Sequence, residues 1–187
     1  FLSEGVDLIL ANATASLTAA ASATADIPIL GTAITNYGVA LNLDSTEDKV
    51  LGGNISGTSD LAPLDQQAQL LQEMFPDAEN VGLLYCSAEP NSVFQVDTIQ
   101  GYLEDMGYTC TQYSFSDSND LSAVATTACA ESDVLYIPTD NTAATNAELI
   151  GNIAVPAGVP IIAGEEGICK GCGVATRRIL SFNESPL

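Results

Sequence analysis

No histidine and no tryptophan occur in this chain of 187 residues, and only four side chains carry a positive charge. Without histidine the commonest general base and metal ligand is gone, and Ser-His and Cys-His nucleophilic catalysis go with it. The four cations are Lys49, Lys170, Arg177 and Arg178, set against 24 acidic residues for a net charge of −20. A surface of that sign repels phosphate backbones, so a nucleic-acid partner is not expected. Anionic lipid surfaces are disfavoured for the same reason. No apolar run approaches the ~18 residues of a membrane-spanning helix. Nor does the chain contain a GxGxxG turn, a P-loop or a GxSxG elbow.

Hydrophobic residues make up 47% of the chain, enough to form a packed core. The five cysteines are odd in number, so they cannot all pair within the chain. Cys86, Cys110 and Cys129 fall in apolar segments, where a thiol behaves as a small hydrophobe. Cys169 and Cys172 form a lone CxxC, a weak signal for zinc or redox chemistry without a second pair. Neither a metal nor a cofactor is expected.

The segment Asp133–Asn141 sets the pattern for the rest. Val134–Ile137 reads as a buried strand, Pro138 closes it, and Thr139, Asp140 and Asn141 suit the cap of a helix running over Thr142–Ile153. The same alternation recurs about five times. Strands are expected at Val6–Leu10, Ile27–Leu30, Asn80–Cys86, Thr109–Phe115 and Val159–Ala163. Helices are expected after Asn12, after Ser59 or Asp60, over the stretch lined by Val93, Val96, Ile99, Leu103 and Met106, and from Ser118–Asp120 to Cys129. Ala40–Ser56 reads as a loop with one short strand. The fold class is therefore α/β, with doubly wound parallel sheets.

Right-handed crossovers place the polar loops along one rim, at the carboxyl ends of the strands, where open α/β sheets bind ligands. That rim collects Asn12, Thr14, Thr35, Asn36, Ser87, Glu89, Asn91, Thr139, Asp140, Asn141, Glu165 and Glu166, and no cation. Helix capping accounts for many of these residues singly. As a set they suit a zwitterionic amino acid: carboxylates for its ammonium, helix amino ends and hydroxyls for its carboxylate. Asp140 is the first choice for the ammonium, with Glu89 and Glu165 next. Tyr37 and Phe94 lie close enough to the rim to pack a ligand ring or to belong to the core.

Four segments in order, GGNISGTSDL (Gly52–Leu61), LLYCSAEPNS (Leu83–Ser92), YIPTDNTAA (Tyr136–Ala144) and IIAGEEG (Ile161–Gly167), resemble ABC-transporter substrate-binding proteins. The group associated with tryptophan, tyrosine and phenylalanine is the most similar. Asp7–Ala20 and Ile27–Asn36 fit that family's first lobe. The resemblance implies a two-lobed fold of the periplasmic-binding-protein type I class, with the ligand held between lobes by hinge closure. It further implies an extracytoplasmic, often lipid-anchored protein that hands its solute to a membrane permease and is not an enzyme. On this mapping residues 1–56 form part of lobe one, 57–162 form lobe two, and 163–187 cross back into an atypical tail. Lobe one is then expected to be incomplete, and self-association through it is a partner expectation. The binding loops it suggests are those at Thr14, Thr35–Asn36, Ser87–Asn91, Thr139–Asn141 and Glu165. A sugar or nucleoside receptor of the same fold is the alternative, weakened by the absence of tryptophan. A flavodoxin-like enzyme using Glu165 and Glu166 is another.

Overall fold

The computed structural model describes residues 2–43, 51 and 53–172. They fall into two compact units, one extending to Ala62 and the other beginning at Pro63. Both are parallel α/β units, the architecture expected of the sequence.

In the first unit, β1 (Ile9–Asn12), β2 (Ile29–Ile34) and β3 (Ile55–Ser59) form one parallel sheet in the order β1-β2-β3. Helices α1 (Thr14–Ala23) and α2 (Tyr37–Leu41) supply the connections. A strand order that runs one way puts right-handed crossovers on a single face. Accordingly Ala11, Leu17, Ile29, Ile34, Tyr37 and Ala40 form one core. On the other face the paired Leu10 and Leu30 are 69% and 41% exposed.

Several expectations shift here. The first strand begins at Ile9 rather than Val6, because the ladder starts where the Ile9 amide donates to the Pro28 carbonyl. The second runs past Leu30 through Gly31. A Cβ at Gly31 would lie 2.4 Å from the Tyr37 hydroxyl, so glycine admits the ring that roofs the strand. Tyr37 is thus a core residue. Helix α2 was not expected, and residues 44–50 of the stretch read as a loop lie outside the described residues.

The second unit begins with α3 (Leu64–Met74), capped by Pro63 rather than by Ser59 or Asp60, since Ser59 ends β3. Then follow β4 (Asn80–Cys86), α4 (Pro90–Asp105), β5 (Thr109–Phe115), α5 (Leu121–Glu131) and β6 (Val134–Ile137). The expected single helix after β6 is two, α6 (Asn141–Thr145) and α7 (Ala147–Ala157). Asn146 breaks it: its Nδ2 and its backbone amide both donate to the Thr142 carbonyl. Strand β7 (Ile161–Ala163) leads to α8 (Glu166–Cys172), which carries the CxxC pair.

The sheet order is β5-β4-β6-β7, all parallel. Period-two alternation sorts the side chains to two faces. Val81, Leu83, Tyr85, Val134 and Tyr136 meet α3 and α4, while Leu84, Cys86, Leu135 and Ile137 meet α5, α7 and α8. The order reverses at β4, so the crevice of this doubly wound sheet opens between the carboxyl ends of β4 and β6. Among the described residues no helix is long and apolar enough to cross a membrane.

Candidate functional site

The crevice between β4 and β6 gathers six of the expected residues: Ser87, Glu89 and Asn91 from the β4–α4 connection, and Thr139, Asp140 and Asn141 from the β6–α6 connection. Asp140 is 1% exposed. Its Oδ1 accepts from the Ala143 amide at 2.8 Å, capping α6, and its Oδ2 accepts from the Cys86 amide at 2.7 Å. Burial nevertheless raises its carboxyl above the ordinary range, with Glu89 adding to the effect and the amides of Ala143 and Cys86 opposing it. The residue favoured for a ligand's ammonium is therefore already pinning the end of β4 to the start of α6.

Glu89 works alongside it. Oε2 accepts from the Asn141 amide at 3.0 Å and from Asn141 Nδ2 at 2.8 Å; Oε1 accepts from the Thr142 amide at 2.8 Å and the Thr142 hydroxyl at 2.7 Å. Partial burial alone would raise its pKa, but these donors outweigh it and hold the carboxyl below its usual value. Glu89 is thus kept ionised at the amino end of α6.

Sequence reading missed the glutamine that fixes this crevice. Gln95 is fully buried on α4. Its Nε2 donates to the Thr139 and Asn91 carbonyls at 3.1 and 3.0 Å, and its Oε1 accepts from the Thr139 amide at 3.2 Å. One side chain thereby satisfies both backbone groups of Thr139. Asn91 Nδ2 donates to the same carbonyl at 3.2 Å. The available signal was a long polar residue among Val93, Val96 and Ile99, on the apolar side of α4.

Glu165 stands apart at the end of β7. It accepts from the Gly167 amide at 2.8 Å and from the Ile168 amide, and so starts α8. Gln67 secures the preceding residue by donating to the Gly164 carbonyl at 3.2 Å, while its Oε1 accepts from the Tyr136 hydroxyl at 2.7 Å. A Cβ at Gly164 would sit 2.8 Å from Thr139 N, so only glycine lets β7 approach the β6 loop this closely. Glu166 pairs with Lys170 on the same helix.

The first unit has its own rim. Thr14 and Thr35 are buried, and Asn36 caps α2 by accepting from the Val39 amide at 3.0 Å. Beside them lies Asp60, directly after β3, whose amide donates to the Ile34 carbonyl at 3.0 Å. Its Oδ1 is buried without a hydrogen-bond partner. Burial raises this carboxyl, against the lowering effect of its own amide and the Thr35 side chain. Tyr37, whose hydroxyl donates to the Thr58 carbonyl at 3.3 Å, is pushed up to about 12 by burial and by Asp60. Of the five cysteines none is disulfide-bonded, and among the described residues no cluster of metal-ligating side chains occurs.

Comparison with known proteins follows from this geometry. The profile of the ABC transporter substrate binding protein family matches residues 1–181. A tyrosine-binding protein of Clostridioides difficile is 37% identical over 167 residues, 89% of this chain and 48% of that protein. The solved ABC domain from Streptococcus pneumoniae in complex with L-Trp is 31% identical, with a TM-score of 0.85 over 90% of this chain and 57% of that one. A conserved domain protein of Vibrio cholerae is 28% identical, with a TM-score of 0.84 over 91% of this chain and 57% of that one. The chain thus spans about half the length of these relatives.

Proposed function

We propose, for a chain that belongs to the ABC transporter substrate-binding protein family, that its polar rims bind a zwitterionic amino acid with an aromatic or large apolar side chain. One observation carries this reading. Among the described residues the only cation is Lys170, which is paired with Glu166, while the strand ends present acids, amides and hydroxyls. Among the described residues a purely anionic solute would find no unpaired counter-charge at those strand ends. An amino acid satisfies both kinds of group: its ammonium takes a carboxylate, and its carboxylate takes hydroxyls and helix amino ends. The relatives named for tyrosine and bound to L-Trp support the aromatic side chain. In this reading the protein is the extracytoplasmic, lipid-anchored solute receptor of an importer and presents its ligand to a membrane permease.

A thermal-shift panel of the common L-amino acids, sugars and nucleosides tests it. At a hundred times Kd a true ligand stabilises by ~2.7 kcal/mol, a Tm rise of roughly 5–10 °C for a protein of this size. Shifts with tyrosine, tryptophan or phenylalanine are expected. A folded protein that shifts with a sugar or nucleoside and with no amino acid would overturn the reading.

A further inference from the structure

We propose that Asp60, and not Asp140, Glu89 or Glu165, is the carboxylate that binds the ligand's ammonium group, with Thr35 as its positioning residue. This rests on the reading of the chain as an amino-acid binder. The three acids that the sequence favoured are committed within the second unit. Asp140 takes the Ala143 and Cys86 amides, Glu89 takes the backbone and side chains of Asn141 and Thr142, and Glu165 takes the Gly167 and Ile168 amides. Asp60 is different: among the described residues its Oδ1 is the one buried side-chain oxygen or nitrogen that no protein donor reaches.

The surroundings hold that oxygen in place. The Asp60 amide is fixed on the Ile34 carbonyl, and the Ser59 hydroxyl donates to the Thr35 carbonyl at 3.1 Å. The pairing of β2 with β3 shifts register between Gly31 and Ile34, with Ala33 at φ 53°, so that Ile34 comes opposite Ser59. Thr35 follows Ile34 directly, beside the point where Asp60 leaves β3, and its side chain favours the ionised form of the Asp60 carboxyl. An ionised oxygen buried without a donor is unfavourable, and the cost disappears when a cationic donor arrives. An ammonium brings three N–H donors and the opposite charge in a volume no larger than a methyl group. Tyr37 cannot supply the donor, since its hydroxyl is turned to the Thr58 carbonyl.

The test uses the amino acid that gives the largest thermal shift, together with its deaminated analogue, which keeps the carboxylate and side chain. Calorimetry should show wild-type protein preferring the amino acid, and Asp60→Asn should lose roughly 100-fold of that affinity. Its affinity for the analogue should change by less than threefold. The ligand-free Tm of the variant should not fall, because asparagine keeps the size of the side chain and removes a buried charge. Should the variant fail to fold, the Asp60 carboxyl carbon resonance in labelled wild-type protein gives the same answer: it moves with the amino acid and stays put with the analogue. Asp60→Asn binding the amino acid within threefold of wild type, or a resonance indifferent to the amino group, would overturn the proposal and leave Asp60 a structural, water-served residue. A wild-type protein that binds no amino acid removes this proposal together with the functional reading it rests on.

Discussion

The two units furnish the same kind of strand-end rim by opposite means. At β4 and β6 the second unit satisfies its polar groups internally: Gln95 serves Thr139, Asp140 serves Cys86 and Ala143, and Glu89 serves Asn141 and Thr142. The first unit leaves Asp60 Oδ1 unserved. It also contains every non-glycine residue with positive φ among those described, Ala13, Ala33 and Asn42. Saturated networks hold loops in one arrangement, whereas strain and an unmet charge persist at sites whose partner comes from outside. The second rim is therefore a finished scaffold, and the first is a rim completed by its ligand.

The sharpest way to break that contrast is Asp140→Ala. It strips a cap from α6 and leaves the buried amides of Cys86 and Ala143 without acceptors. We expect a loss of about 3 kcal/mol, read as a lower urea midpoint. Full stability with lost ligand binding would make Asp140 a ligand group after all. Gln95→Leu should follow at about 2 kcal/mol, since the Thr139 amide loses its partner and the Thr139 carbonyl keeps only Asn91 Nδ2. Faster exchange of the Thr139 amide would show that the loss is local to this loop.

Much of the second unit was legible because its strands and helices obey strong local rules. Val134–Ile137 is apolar on both faces, as a central parallel strand must be, and Asn80–Cys86 and Thr109–Phe115 stand where the pattern put them. The first unit was harder to read. Helix α2 is a single five-residue stretch, and β2 runs through Gly31, a residue that reads as a break but is glycine because a Cβ would meet the Tyr37 ring. The loops at the strand ends were legible as positions in the chain, whereas the hydrogen-bond partners of their side chains were not. Whether Asp140 faces a ligand or two backbone amides depends on how β4 and α6 meet, and no spacing within either segment encodes that. Asp60 was expected, with Ser59 as the other choice, only as the start of the helix that follows. Its unpartnered oxygen lies next to the strand pair whose register shifts, and both depend on tertiary packing that no local spacing encodes.

Acid titration separates the two rims by sign. Glu89 is held below its ordinary value of 4.5, so its contribution is present above that value and is lost as pH falls through the lowered one. Glu89→Gln should cost about 1 kcal/mol at pH 7, a modest figure because the carboxylate is half exposed, and the cost should vanish in acid. Asp60 is raised from 3.8, so the fold favours its protonated form. That preference is fully present below pH 3.8 and is lost as pH rises through the raised value. Asp60→Asn should accordingly be as stable as wild type, or slightly more so, at pH 7, and should converge with it in acid. Unfolding curves of both variants at pH 3 and pH 7 check the pair, and gaps of the same sign would mean that the two rims do not differ in kind.

The smallest effect probes the strain itself. Ala13 links β1 to α1 at φ 70° and ψ 161°, a region that essentially only glycine occupies without cost. It is held there from both sides, its amide donating to the Thr32 carbonyl at 3.0 Å and its carbonyl accepting from the Leu17 amide at 3.1 Å. Ala13→Gly relieves ~1–3 kcal/mol of strain and gives back ~0.5–1 kcal/mol in unfolded-chain entropy. The net gain should be about 1 kcal/mol, a rise of a few degrees in Tm. If the strain serves to fix Thr14 at the rim, the stabilised variant should bind its amino acid a few-fold more weakly. Unchanged affinity with higher stability would mean that the alanine is merely tolerated, and Asp60 alone would then set the first rim apart from the second.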